Sequence, residues 1–369
     1  MSTIALDATY TVEPEPSGIA VYSRKLIEAL AELETPHRFL LCYRLSRLGR
    51  RREFLRPASR AGSAEANFSV RVYQEPLTFW LPWQVELFHS LAQRPPAFRF
   101  KREIVTVFDI FPITGDAYSS ADFRRKFSAL LIEAVRRATC VITSSRYTAD
   151  QLLAHTPVSK SKLRIIPLGV DPPAQDLSPG ERQLTRARLV GEGNEMILSV
   201  GVLQTRKNTL NALRALETLP QQYRLVLVGG DGYGSEQIHE YLRRPGLAAR
   251  VQVRGHVPSE ELRALYQSAG VLLFPSLEEG FGLPVLEAMA NGLPVVASRT
   301  ASLPEVGGEV ALYVDPHDPC DIAEKVRRAV EDSELRRKMI QQGRERAREF
   351  SWRRVAEATL QVYEEVLSM

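Results

Sequence analysis

Two glutamates frame the densest chemistry in this chain. In SLEEGFGLPVLEAMANGLPVVAS, residues 276–298, Glu279 and Glu287 stand on either side of seven residues. The run VLLFPS that leads in is apolar and β-rich and reads as a buried strand. Beyond it, Pro284 suits the first position of a helix and LEAMA carries strong helix formers. Gly280 and Gly282, interleaved with Phe281 and Leu283, let the backbone approach a ligand closely at the strand-to-helix turn. A helix N-terminus there presents unpaired N–H groups and a partial positive charge, which suits a diphosphate. Glu279 before the turn and Glu287 about one turn into the helix are expected to face one pocket. They would hold sugar and ribose hydroxyls while the N–H groups hold phosphate. An ordinary crossover with a surface Glu pair would not need the glycines, the proline and both acids together.

A second constellation lies in ILSVGVLQTRKN, residues 197–208, where Gly201 ends a strand and Arg206 and Lys207 open a helix. Fixed cations beside a leaving diphosphate stabilise the charge that develops as a glycosidic bond breaks. Arg bonds phosphate oxygens bidentately, and Lys supplies a compact charge. In isolation such a pair is more often a surface pair. No Asp-x-Asp occurs anywhere, so the usual metal–diphosphate ligand motif is absent and no metal is expected. LVLVGGDGYG, residues 225–234, lacks the spacing of a dinucleotide fingerprint and reads as a tight βα turn.

At 369 residues the chain is comfortable for two domains. No run of 18 apolar residues suggests a membrane span, and MSTIALDATY does not read as a secretory signal. Cys42, Cys140 and Cys320 are far apart, odd in number and without metal-ligand spacing; they read as reduced thiols of a cytoplasmic protein. Charge is uneven: the first 172 residues carry +7 and the rest −3, within a total of +4. Much of the excess is in YRLSRLGRRREFLRPASR, where Arg44, Arg47, Arg50, Arg51, Arg52, Arg56 and Arg60 interleave with Leu45, Leu48, Phe54 and Leu55. Such a segment suits the anionic inner face of a membrane or, equally, a solvated face. No nucleic-acid motif accompanies it.

Strands and helices alternate throughout. IALDA, a helix near 22–33, and FLLCY precede a long irregular stretch; VELFHS, EIVTVFD, a helix over 122–138, CVITSS, a helix over 147–154, and LRIIPLG follow. VDPPAQDLSPGE, residues 170–181, reads as a linker, after which MILSVG, RLVLVGG, RVQVRG, VLLFPS, LPVVAS and ALYVD restart the pattern. The expected fold class is α/β, two doubly wound parallel-sheet domains facing across a cleft, with boundaries at 1–172 and 173–351. The last segment, residues 351–369, predicts a helix with an apolar stripe at Trp352, Ala356, Leu360, Tyr363 and Leu367.

The Glu–seven residues–Glu segment is similar, nearly letter for letter, to the EGFGLPxLEAMAxGxPVVAS motif of family 4 of the retaining glycosyltransferases, and the RKN variant is closest to bacterial mannosyltransferase-like members. The resemblance spans both halves, is strongest over 197–316 and weakens over 44–83. It implies a GT-B fold of two Rossmann-like domains, with the terminal helix over 352–369 returning to the first. It implies a metal- and cofactor-free, retaining hexosyltransferase that takes a nucleoside diphosphate sugar, GDP-mannose as first expectation and a UDP-sugar as second. The acceptor would be a hydroxyl, on a lipid-linked glycan or oligosaccharide of surface polysaccharide assembly. By the same match to G-x-L-x-x-R-K-N, Arg206 and Lys207 become the pyrophosphate clamp, although Val202 stands where many relatives carry a basic residue. Glu287 would take the ribose, Glu279 the sugar hydroxyls, and the backbone at Val257 in RGHVPSEEL the base edge. Thr300 and its neighbours would approach phosphate. In the first domain Gly18 would open the glycine loop, Arg146 would line the acceptor side, and His89 either lines that side too or, equally, is a core histidine at a strand end. Asp109 is retained in TVFDIFP, but Phe108 replaces the family's His near the reaction centre. Two other classes stay open: another GT-B enzyme, either an epimerase that needs no acceptor or a phosphorylase that needs free phosphate, and a non-catalytic nucleotide-sugar-binding subunit.

Overall fold

A computed structural model describes residues 1–13, 17–55 and 67–369. Arg56 and Arg60 of the arginine run lie outside the described residues. The chain divides into two compact units: Met1–Thr114 with Asp122–Gly169 and Ser351–Met369, and Gly115–Ala121 with Val170–Phe350.

The first unit is built on a seven-stranded sheet of β1 (Thr3–Asp7), β2 (Arg38–Arg44), β3 (Phe68–Tyr73), β4 (Leu87–Ser90), β5 (Glu103–Val107), β6 (Cys140–Thr143) and β7 (Leu163–Ile165). Every pairing is parallel, in the order β3-β2-β1-β4-β5-β6-β7. β1, β4, β5 and β6 are buried almost throughout, as central strands covered on both faces must be. β3 falls in the stretch expected to be irregular. It is an edge strand in which only Tyr73 is buried, so it carries no apolar run to announce it.

Helices Gly18–Ala31, Ala121–Arg137 and Arg146–His155 follow the expected positions to within a few residues. The terminal helix Trp352–Ser368 packs against Gly18–Ala31. Its buried stripe is Trp352, Val355, Ala356, Thr359, Val362, Tyr363 and Val366. Leu360 and Leu367 sit at its margin. The apolar face is thus rotated from the expected one: valines fill the narrow space, and the leucines cover the edge.

The second unit carries β8 (Glu195–Val200), β9 (Tyr223–Val228), β10 (Val251–Val253), β11 (Val271–Phe274), β12 (Val295–Ser298) and β13 (Leu312–Val314). They form a parallel sheet in the order β10-β9-β8-β11-β12-β13. Its core joins Ile197, Leu225, Val271, Leu273 and Val296 from the strands to Leu213, Leu216, Ile322 and Val326 from the helices. The expected linker ends in a helix, Pro179–Val190, that starts with a capping box between Ser178 and Glu181. In this strand order the chain reverses direction between β8 and β11. The carboxyl ends of those two strands therefore diverge around a crevice, where doubly wound sheets bind ligands.

Candidate functional site

Both constellations read from the sequence emerge at that switch point. β8 runs into Gly201 and then the 3-10 turn Thr205–Lys207, while β11 runs into the loop that carries Glu279. The β8 turn is held tightly. Gly229, at φ 144°, lies so close that a Cβ there would sit 2.2 Å from the carbonyl oxygen of Gly201, so only glycine fits. Asn208 follows in the left-handed region at φ 58°. Its amide donates to the carbonyls of Pro275 at 3.0 Å and Pro316 at 2.7 Å, stapling the basic turn to the ends of β11 and β13. The backbone adds a bond from Leu277 N–H to the Arg206 carbonyl at 2.8 Å.

Seventy-two residues apart in sequence, Lys207 and Glu279 meet. Lys207 Nζ donates to Glu279 Oε1 at 2.5 Å, and Arg206 Nη1 lies 3.1 Å from Oε2. Arg206 also donates to the Glu278 carbonyl. All three charged side chains are largely buried. Burial alone would raise the Glu279 carboxyl, but the Lys207 ammonium and the Arg206 guanidinium outweigh it and hold the group at about 2. The trio keeps a net positive charge. Lys207 Nζ also stands 4.7 Å over the Phe274 ring, which supports the cation from below.

The second glutamate has different company. The helix Leu283–Ala290 starts one residue before the expected position, with Pro284 second and Gly282 as its cap. Gly282 has φ 107°, and a Cβ there would meet Leu303 at 2.7 Å. No side chain caps this end; Pro284 carries no N–H and the Val285 N–H bonds the Gly282 carbonyl at 2.9 Å, so this end offers an anion chiefly the positive pole of the helix dipole and the Leu283 N–H. Glu287, the fifth residue of the helix, accepts a hydrogen bond from Tyr266 Oη at 2.8 Å. The residue keeps some solvent access, yet its carboxylate is enclosed. Burial pushes that carboxyl up to about 7 against the smaller opposing effect of the Tyr266 bond.

Three supporting groups were not legible in the sequence as site residues. Ser302 is fully buried, and its hydroxyl lies 2.8 Å from the Glu279 carbonyl and 2.9 Å from that of Phe281, bracing the glutamate loop from behind. Asn208 and Tyr266 are the others, and only their chain neighbours hinted at them. Thr300 donates to the Ser276 carbonyl at 3.0 Å, which gives it a bracing role in the same loop. Val257 is buried and His256 exposed, just beyond Gly255, whose carbonyl accepts from Gly229 N–H.

In the first unit the expected residues are scattered. Gly18 is the first residue of its helix behind the Ser17 cap, with open space where a Cβ would be. Arg146 is exposed at the start of its helix, after the Ser145 cap. Asp109 is half-buried just beyond β5. Phe108 packs edge-on against Tyr22, with ring centroids 4.9 Å apart. His89 requires a correction. It is fully buried in β4, with Nδ1 2.7 Å from Tyr363 Oη and Nε2 2.8 Å from Thr106 Oγ1. Burial lowers its pKa to about 3, so it is a neutral core histidine and not a residue lining an acceptor surface. Among the described residues, no group of three or more His, Cys, Asp or Glu is placed to hold a metal ion, and no helix is long and apolar enough to cross a membrane.

The model of Glycosyl transferases group 1 matches residues 181–346, and that of Glycosyltransferase Family 4 matches 16–173. O-antigen chain mannosyltransferase B of Escherichia coli is 30% identical over 271 residues, covering 72% of this chain and 71% of its own length. D-inositol 3-phosphate glycosyltransferase of Corynebacterium jeikeium is 31% identical over 306 residues, or 78% and 71%. The HepE protein of Anabaena, solved in complex with UDP-glucose, superposes with a TM-score of 0.75 over the whole of both chains at 18% identity. WaaG, a glycosyltransferase involved in lipopolysaccharide biosynthesis, gives 0.72 over 98% of this chain and 99% of its own at 16% identity. The chain therefore belongs to glycosyltransferase family 4 and has the GT-B fold.

Proposed function

We propose that this glycosyltransferase is a retaining, metal-independent hexosyltransferase that uses a nucleoside diphosphate sugar, with GDP-mannose as the first donor to try. The observation that carries the reading is the buried Arg206–Lys207–Glu279 cluster at the β8/β11 switch point, beside an uncapped helix N-terminus. A net positive trio and the positive pole of the helix together suit a diphosphate and supply the charge that a divalent cation supplies elsewhere. Glu279 stays ionised, orients Lys207 and remains close enough to bond sugar hydroxyls. Glu287, deeper in the helix, would accept from ribose hydroxyls. Loss of its proton on donor binding would then be coupled to those bonds.

Transfer with retention is assigned to a same-face path. The C1–O bond to the diphosphate breaks with its electron pair moving to the leaving phosphate, where Arg206, Lys207 and the helix N-terminus stabilise it. The acceptor oxygen bonds C1 on the same face, and its proton passes to the departing phosphate oxygen. Similarity to the O-antigen chain mannosyltransferase of Escherichia coli supports mannose as the sugar and a surface glycan as the acceptor. The arginine-rich first unit supports a lipid-linked acceptor at the inner face of a membrane.

The test is a panel of GDP-, UDP-, dTDP- and ADP-sugars incubated with the protein in chelator, with released nucleotide and the product anomer as readouts. Turnover of one donor without metal, lost in Lys207→Ala, supports the reading and names the sugar. Dependence on added divalent cation, or an inverted anomer, overturns it. If every donor is silent, nucleotide affinity in the same samples shows whether the donor site is intact.

A further inference from the structure

Register and burial bring two unusual segments of the first unit together. β2 and β3 are parallel neighbours, with Arg44 opposite Tyr73 at their carboxyl ends. After β2 comes Leu45–Glu53, a succession of 3-10 turns in which no residue is buried. Leu45, Leu48, Arg51 and Arg52 are exposed there. After β3 the chain passes through Gln74 and Glu75 into a turn that exposes four large apolar side chains within seven residues. Leu77 is 64% exposed, Phe79 61%, Trp80 43% and Trp83 79%. The two segments leave the sheet side by side, and Arg44, Leu45 and Ser46 share the lining of one cavity of about 570 Å³ with Tyr73, Gln74 and Glu75.

The turn is rigidly mounted. Thr78 N–H bonds the Gln74 carbonyl at 3.0 Å, and the Thr78 hydroxyl bonds the same carbonyl at 3.0 Å. Trp83 N–H bonds the Trp80 carbonyl at 3.1 Å. Leu81 and Val85 are buried in a core cluster with Phe88 and Phe100, and they anchor the turn from below. Phe79 meets Trp80 and Trp83 edge-on, at centroid distances of 5.4 and 6.0 Å. The aromatic rings thus pack on one another above the surface instead of folding into the core. A contiguous exposed apolar patch on a folded protein marks an interaction surface. Exposed tryptophans on a turn whose neighbouring segment carries exposed arginines match one partner in particular, the interface of an anionic bilayer.

We propose that the turn from Leu77 to Trp83 is a wedge that enters the interfacial layer of an anionic membrane, with Arg51 and Arg52 on the neighbouring segment contacting the headgroups. This deepens the lipid-linked acceptor reading and rests on it for its purpose. Vesicle binding is nevertheless measured without donor or acceptor, so the two can fail separately.

Tryptophan emission gives a direct readout. Two of the three tryptophans lie on the wedge, and the third, Trp352, is buried. The full chain is mixed with vesicles of phosphatidylcholine alone or with an equal part of phosphatidylglycerol, some carrying brominated acyl chains. Expected are a blue shift and bromine quenching with the anionic vesicles only. Arg51→Glu with Arg52→Glu should weaken partitioning by at least roughly thirtyfold. Leu77→Ser, Phe79→Ser and Trp83→Ser together should weaken it by at least roughly tenfold, with Trp80 kept as reporter and donor hydrolysis unchanged. Sedimentation with vesicles but no quenching would overturn the wedge and leave only arginine contacts. A lipid-free dimer abolished by the serine variant would assign the patch to a second copy, which also overturns it. Should the serine variant fail to fold, quenching of the unaltered protein still decides the question.

Discussion

Replacing Glu287 by Gln isolates the energetic strain of the buried carboxyl at the helix Leu283–Ala290. In the folded chain burial raises this group from 4.5 to about 7, whereas the unfolded chain leaves it near its ordinary value. The native state thus binds more protons than the unfolded state between those two values. Stability from this group is complete below about pH 4.5 and is lost as pH rises through 7. Full conversion of the shift gives about 3 kcal/mol. Because the residue keeps some solvent access, about 2 kcal/mol is the better expectation. Glutamine preserves the acceptor for Tyr266 Oη and removes the titration. The variant should therefore match the parent at pH 4 and exceed it by about 2 kcal/mol at pH 8.5, a rise of roughly 4–8 °C in the melting temperature of the second unit. Denaturant melts at both pH values, without nucleotide, measure this. An equal offset at both values, or a less stable variant at pH 8.5, would refute the assignment of the raised carboxyl to Glu287. The same variant should lose donor affinity, since its amide accepts fewer hydroxyl bonds than a carboxylate. Stability gained with binding lost is the signature of a residue kept for function.

Other consequences are simpler to check. Lys207→Ala should lower donor turnover by about 10²–10³-fold with little change in fold, read from released nucleotide and circular dichroism. Glu279→Gln leaves Arg206 and Lys207 buried without their counter-charge and should destabilise the second unit by about 3–5 kcal/mol at neutral pH; the parent should lose this ion-pair stability only as pH falls from about 4.5 toward 2, visible in acid titration. Ser302→Ala strips the donor from two buried carbonyls behind the glutamate loop and should cost about 1–3 kcal/mol in a urea melt. His89 should resist protonation until about pH 3 in an NMR titration, so its neutral form loses stability to the unfolded chain as pH drops below 6.5; an ordinary titration near 6.5 would place it at the surface after all.

Much of the donor-side candidate site was readable because its signals are local. The glutamate segment carries strand, glycine turn and helix in one stretch, and the structure has them within two residues of the expected positions. Alternating strand and helix patterns likewise announced two parallel sheets. Less was readable where a residue's surroundings come from elsewhere. The edge strand β3 buries only its last residue, Tyr73, and leaves no alternating pattern, and the terminal helix was read with its stripe rotated because valine and leucine are equally apolar in sequence. In the first unit, His89 has the same residue type whether it lies on a surface or, as here, is enclosed between Thr106 and Tyr363.

Strand order marks the boundary between the two kinds of knowledge. Composition, periodicity and turn chemistry specify the individual elements because those depend on neighbours a few residues away. They also specify the family, through motifs that each span about twenty residues or fewer. Tertiary structure alone decided that β8 lies against β11, although β9 and β10 intervene in the chain. That adjacency brings Lys207 to Glu279, holds Asn208 against Pro275 and Pro316, and sets Ser302 behind the loop. It also moves two glutamates eight residues apart to opposite extremes, one at about 2 and the other at about 7. Both are buried carboxylates. The difference is the cations that the sheet carries to one of them and not to the other.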